Sequence, residues 1–527
     1  MRAFAAGSAR NAVLSGLFAS VAGMALVPTA AAAQDTGDID ARLAAMEARL
    51  NALADENAAL REQVEELESD QHAQPPRLPP PPPPPVMHAR SQPAAPQAQT
   101  SHGNDDPHRA SGFIGTNSEY AFAILDHTEN ITTRPLVLLE AQQDGLLDNR
   151  VTISGQVTAI ANYQWTDTDS QFGYLMRHPT SNNQLGSHVS EAVLHSVSAA
   201  VTAQVAPRVT AFAEVLYDPQ QSFGAGTITA LSRNQLQLRR GWVMYGDLDE
   251  TPVYALIGKM DVPFGLNDTL NPFTNSTNWH AFAPLAYGAQ VGFYSDGFHV
   301  RAMAVQGGAQ FRSANVPVEG SSVPSRLNNF AVDARYTLDL GGVGNSLMVG
   351  GSYIHGTAYC QGYPIFHFNP CADNNPGVAA YARLDYGDLD LLAEYAQTTQ
   401  VWAGTQVPDP TNPLSQFEAF APSSLTLGGR YGFGQRLANG ERSIHISGEF
   451  SRFFAGPEGA PWRRQTQWVL GASWQVVPNV NLFGEFVHVD GFAPLNFLTG
   501  GNFPDGSTWS DPDVDTNVVV AGAQVAF

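Results

Sequence analysis

Val151-Thr152-Ile153-Ser154-Gly155-Gln156-Val157-Thr158-Ala159-Ile160-Ala161-Asn162-Tyr163-Gln164-Trp165 alternates over its whole length, odd positions being apolar or small and even ones polar apart from Ile160. Successive side chains of a strand point to opposite faces, so a strand this long and this regular has one face in an apolar medium and the other in water. The same pattern returns at Thr466 to Val476, where Trp468, Leu470, Ala472, Trp474 and Val476 share a face opposite Gln467, Ser473 and Gln475. It returns again at the end of the chain, with Asn517, Val519, Ala521, Ala523, Val525 and Phe527 on one face. About sixteen such segments lie between 149 and 527, an even number as bacterial barrels require. Tight turns such as Ala206-Pro207-Arg208, Asp296-Gly297, Gly387-Asp388 and Val477-Pro478-Asn479 alternate with long loops rich in Asn, Pro, Ser and Gly. A soluble sandwich or propeller needs an apolar face packed on a second sheet, which long strands with long loops at one end fit poorly.

Upstream of these strands the character of the chain changes three times. Residues 1–33 read as a signal peptide: Arg2 and Arg10, an apolar stretch from Ala12 to Val27, and small residues at Ala31-Ala32-Ala33. In 34–72 the positions Ile39, Leu43, Met46, Leu50, Leu53, Asn57, Leu60, Val64 and Leu67 succeed one another at steps of four and three, a heptad seam broken only by Asn57. A polar residue at such a core position costs stability and fixes the register of an oligomer. Residues 73–112 form a proline-rich linker with an unbroken run from Pro79 to Pro85, which holds stiff polyproline II and keeps the helix apart from the rest of the chain. A pre-barrel segment, 113–148, is apolar at Ala121 to Leu125 and Pro135 to Leu139. The expected fold is an all-β transmembrane barrel of about sixteen antiparallel strands over 149–527, preceded by an N-terminal α-helical coiled coil.

Composition removes other classes. The net charge of -22 argues against nucleic acid as a partner, since phosphate binding needs clustered Lys and Arg. Beyond the N-terminal stretch no apolar run is long enough for a transmembrane helix. Cys360 and Cys371 suit a small loop closed by a disulfide in an oxidising compartment, two free thiols being the other reading.

Four strands share the pattern apolar-x-apolar-x-[Ala/Gly]-Glu-apolar, ending in Glu214, Glu394, Glu449 and Glu485. By parity these carboxylates face the lumen, where a ring of them favours cations. The plainer alternative is that each braces the wall against an interior arginine such as Arg239, Arg335 or Arg383. Lys259, Asp261 and Arg239 are further pore-lining candidates, and the third long loop supplies Asn267, Asp268, Trp279 and His280 as candidates for a constriction. His195 shares an apolar face with Val193 and Val197, so a subunit interface is expected to shelter it from lipid.

The strand end Lys259-Met260-Asp261-Val262-Pro263-Phe264-Gly265, the strand count and the coiled coil with its linker together resemble the porins that carry a periplasmic coiled coil. Among these the chain is most similar to the Legionella-type, LbtU-like siderophore porins, and more distantly to the phosphate-selective porins. The resemblance implies a TonB-independent diffusion route in the Gram-negative outer membrane, a homo-oligomer that is a trimer, and solutes that include ferric siderophores. It also implies contact with outer-membrane lipid and lipopolysaccharide, and recognition of Phe527 by the barrel-assembly machinery. The third loop has no lysine, unlike phosphate-selective porins, which puts anion selectivity in doubt. No catalytic set, metal spacing or cofactor motif stands out, and no enzyme activity is expected. The alternative function is structural, the coiled coil tethering the barrel to peptidoglycan across a reach of about 45 Å for roughly thirty helical residues.

Overall fold

The computed structural model describes residues 112–168, 172–176, 186–218, 235–306, 327–342, 344–359, 374–402, 417–437, 440–493 and 511–527. The signal peptide, the coiled coil with Asn57, the proline-rich linker, Cys360 and Cys371 lie outside these residues. In chain order the elements are β1 (Gly112–Gly115), α1 (Ser118–Leu125), α2 (Arg134–Gln143), β2 (Asn149–Thr166), β3 (His188–Ala206), β4 (Val209–Asp218), β5 (Gln235–Tyr245) and β6 (Val253–Asp261). Then come α3 (Thr277–Phe282), β7 (Leu285–Ser295), β8 (Phe298–Gln306), β9 (Leu327–Asp339), β10 (Ser346–Ile354), β11 (Gly377–Tyr386) and β12 (Leu389–Thr398). The last five are β13 (Ser423–Arg436), β14 (Arg442–Phe454), β15 (Arg464–Val477), β16 (Val480–Ala493) and β17 (Asp511–Ala526).

From β2 to β17 each strand pairs antiparallel with the next, and β17 pairs back onto β2, closing a sixteen-strand barrel. Closure removes every free strand edge, the condition for β-structure in a membrane. Ile257, Val291, Trp468, Leu470, Trp474 and Val519 are exposed on the outer face, while Thr152, Ser154, Thr158, Asn162 and Gln164 of β2 are buried on the inner one. An apolar outside with a polar inside is the pattern of a membrane barrel. The hairpin between β7 and β8 turns on Asp296 (φ 50°) and Gly297 (φ 78°), both left-handed as a type I′ turn requires.

The pre-barrel segment is part of the barrel's interior. β1 runs parallel to the start of β2, Gly112 opposite Asn149 and Gly115 opposite Thr152. The edge it occupies begins where β17 stops, since Phe527 N–H and C=O are bonded to Gly155 at 3.0 and 2.9 Å. α1 begins at Asn117, whose side chain accepts from Tyr120 N–H, and α2 begins with Pro135 in its first turn. Tyr120, Ile124, Leu125, Leu138, Leu139 and Leu147 join Phe212, Trp242, Tyr254 and Leu256 of the wall in one apolar cluster. The apolar stretches of 113–148 are thus buried against the inward face of β4 to β6, and the Tyr120 hydroxyl reaches Thr202 of β3 at 2.8 Å.

Candidate functional site

The third long loop, 262–284, connects β6 to β7 and folds inward; all of it is buried except the half-buried Pro272. Three wall glutamates hold its backbone. Glu394 on β12 accepts from Leu266 N–H at 2.8 Å and Asn267 N–H at 2.7 Å. Glu449 on β14 accepts from the Thr269 hydroxyl at 2.5 Å. Glu485 on β16 accepts from Phe273 N–H at 2.8 Å, from Thr274 N–H, and from the Thr274 hydroxyl. The loop therefore steps across alternate strands as it advances, and returns through Asn275 C=O on Gln467 and Thr277 N–H on Ser451. Gly265 sits at φ 68°, and a Cβ there would lie 2.3 Å from the Glu394 carboxylate, so a side chain would be strained in this backbone and would push the carboxylate off the loop.

This changes the expected picture of the carboxylates. Glu394, Glu449 and Glu485 are 2–4 % exposed and act as hydrogen-bond acceptors for a loop, so they do not border open water as free charges. Glu214 takes the bracing role, but with Arg240, which pairs with it at 2.8 Å and with Asp261 at 2.5 Å. The reason is a β-bulge: Glu214 faces Arg240 while Val215 faces Leu238, leaving Arg239 as the extra residue. Lys259 donates to Leu238 C=O at 3.0 Å. Asp261 also pairs with Arg134 of α2 at 3.2 Å.

A second bulge corrects the reading of His195. Thr158 faces Ser196 and Ala159 faces Leu194, so His195 is the extra residue of the bulge and its ring turns inward. It is 6 % exposed and meets the Phe273 ring edge-on at 4.7 Å between centroids. Phe273 in turn stacks on Phe483 at 5.1 Å, and its carbonyl is bonded to His127 Nε2 at 3.0 Å. His195 thus seats the tip of the third loop and needs no subunit interface to shelter it.

The constriction candidates all lie on the loop. Asn267 donates to Phe264 C=O at 2.7 Å and accepts from Asn278 at 3.2 Å. Trp279 packs with Ile131 and Ala283, and His280 meets the Trp279 ring edge-on. Asp268 accepts from Ile131 N–H at 3.0 Å, joining the loop to the turn between α1 and α2. That turn is the part of the site that the sequence did not mark. Glu129 pairs with Arg383 of β11 at 2.7 Å and with Arg430 of β13, and these arginines are held in turn by Asp385 and Asp390. Burial works to raise the Glu129 carboxyl, and the two guanidiniums override it, holding it at about 2. Arg301 of β8, paired with Asp333 at 2.5 Å, donates to Thr132 C=O. The only visible signals were Arg239-Arg240 side by side in an alternating strand and charged residues set between the two apolar stretches of 113–148.

No family model matches the sequence, and no curated protein does. Solved structures that align with it include the outer membrane channel DcaP of Acinetobacter baumannii, 16% identical, covering 72% of this chain and 97% of that one at a TM-score of 0.44. An anion-selective porin from Comamonas acidovorans is 13% identical over 72% of this chain and 99% of its own, at a TM-score of 0.42. OprB of Pseudomonas putida is 11% identical over 74% and 97%, at 0.44. At these values the likeness is one of outline, and the reading of this chain rests on its own residues.

The contact between loop and insert carries a pH dependence. Burial pushes the Asp268 carboxyl up to about 7, Glu129 adding to the shift while the Ile131 N–H and Arg383 oppose it. An acid whose pKa is raised in the folded state favours its protonated form there, so the stability it gives the buried loop is fully present below the ordinary value of 3.8 and is lost as pH rises through about 7. Asp268→Asn is expected to flatten the pH dependence of single-channel current between pH 6 and 8. An identical profile in the variant would assign the dependence to another group.

Proposed function

We propose that this chain is a porin of the Gram-negative outer membrane that lets solutes diffuse passively and without TonB. The observation that carries the reading is a closed barrel, apolar outside, whose third loop is folded inward and fixed to the opposite wall by Glu394, Glu449 and Glu485. An inward loop narrows a barrel, and the groups lining the narrowing set which solutes pass. In this reading the tight-turn rim faces the periplasm, the compartment that also holds the N-terminal region, and the long loops face outward. The outward Phe527 supports delivery by the barrel-assembly machinery, and lipid and lipopolysaccharide surround a trimer of barrels. Ferric siderophores are the finer proposal for cargo. Purified protein in planar bilayers is expected to give stepwise conductance that ferric siderophores block; silence at every protein concentration would overturn the channel reading, and conductance without block would overturn the cargo alone.

A further inference from the structure

Of the four wall glutamates that share one pattern, Glu449 is the least satisfied. Glu214 is paired with Arg240, and Glu394 and Glu485 each accept two loop N–H groups. Glu449 accepts only the Thr269 hydroxyl, on Oε2; its Oε1 is buried without a hydrogen-bond partner in a residue 3 % exposed. The charges that act on it are those of Glu485 and Glu394, both carboxylates. Three more oxygens share this condition: Thr426 Oγ1, Asn278 Oδ1 and Asn275 Oδ1 are buried without a partner, in residues at most 1 % exposed. Both ends of the Asn275 amide are unpartnered, so an oxygen is free whichever way that amide is turned.

Register and loop path bring the four to one patch of the wall. Glu449 is opposite Gly428 of β13 and leans over it, since a Cβ at Gly428 would lie 3.6 Å from Oε2. Thr426, two residues along the same inward face, is opposite Glu394 on one side and Ser451 on the other. The outgoing leg of the third loop touches this patch through Thr269. The returning leg touches it through Thr277, whose N–H donates to Ser451 Oγ at 3.1 Å and whose hydroxyl meets Ser424 Oγ at 3.2 Å. Asn275 and Asn278 flank Thr277. The Asn275 C=O is held by Gln467, opposite Ser451, and Asn278 Nδ2 donates to Asn267, itself on Glu394. Thr426 and Glu449 therefore lie between the two legs and the wall.

Buried polar groups without partners are costly, a carboxylate most of all. A proton on Glu449 would supply one donor, enough for one of these oxygens. A cation serves all four. We propose that the gap between the two legs of the third loop and the wall is a calcium site formed by Glu449 Oε1, Thr426 Oγ1, Asn278 Oδ1 and Asn275 Oδ1. Calcium accepts mixed oxygen ligands in flexible geometry, whereas magnesium demands a near-ideal octahedron and usually keeps several waters. Among the described residues no group of three or more His, Cys, Asp and Glu could hold a metal, so this site is built chiefly from neutral oxygens. Its dissociation constant is accordingly expected near about 10⁻⁴ M, as for sites with few charged ligands. The bound ion ties both legs of the loop to β13 and β14. The inference does not depend on the channel reading.

The test uses the full-length protein in detergent, stripped with EDTA and free of lipopolysaccharide, titrated calorimetrically with calcium, magnesium and sodium chloride. One calcium per chain is expected, with magnesium and sodium at least about tenfold weaker. Glu449→Gln and Thr426→Val are each expected to weaken calcium binding about tenfold or more. Thr426→Val keeps the shape of the side chain and removes only the hydroxyl, so it decides the matter if Glu449→Gln does not fold. Absence of calcium binding, equal binding of magnesium or sodium, or calcium binding unchanged in Thr426→Val overturns the proposal.

Discussion

Arg134→Ala, made in the full-length chain, is expected to raise single-channel conductance several-fold and to expose the α1–α2 turn to protease while the barrel stays folded. Arg134 ties that turn together: its Nε donates to Ile124 C=O at 3.0 Å, Nη1 to Ile131 C=O at 2.7 Å, and Nη2 to Asp126 C=O. The same guanidinium pairs with Asp261 at 3.2 Å and so fastens the insert to β6. Its side chain is 2 % exposed, so these bonds are made away from bulk water. Each carbonyl left without a partner costs about 1–3 kcal/mol, and breaking a buried ion pair costs about 3–5 kcal/mol. The sum matches the whole stability of a small unit, so the insert is the part that yields. The barrel has its own closure through β17 and β2, which does not pass through Arg134. Arg134→Lys keeps the charge but cannot serve several acceptors from one planar fork, so it should behave like the alanine variant. Wild-type conductance together with wild-type protease resistance would show that the insert is held by its apolar cluster alone.

How much the sequence could reveal depends on how local each cause is. The strands were legible because a lipid-facing strand must repeat its alternation residue by residue, and the tight turns because Asp296-Gly297 needs a left-handed backbone. Third-loop candidates could be picked by counting long loops. The two bulges were not legible, since a bulge changes which face a side chain takes without changing composition. That is why Arg239 was expected where Arg240 acts, and why His195 was expected on the outer face. Nor was the partner of each glutamate legible. Glu394 meets a backbone amide 128 residues away in the chain, and Glu485 one 212 away. Parity placed these carboxylates inward, and only the path of the loop decides whether they meet water, arginine or peptide.

That distinction can be measured. Glu394→Ala with Glu485→Ala is expected to release the third loop and give a channel with larger, noisier and less selective current. The double substitution leaves Leu266, Asn267, Phe273 and Thr274 N–H groups without their acceptors in a buried segment, each at a cost of about 1–3 kcal/mol. Glu394→Gln with Glu485→Gln keeps one carbonyl oxygen at each place, so it preserves much of the hydrogen bonding while removing both charges. If the carboxylates act as loop anchors, the glutamine pair stays near wild type in conductance and selectivity while the alanine pair does not. If they act through their field on passing ions, both pairs lose cation preference alike, because charge is what they share. Equal loss in the two double variants would therefore sink the anchoring role and restore a carboxylate ring. The geometry favours the first outcome for a physical reason: a carboxylate that already accepts two peptide N–H groups is turned toward the loop, and its charge is spread into that backbone instead of the solute path.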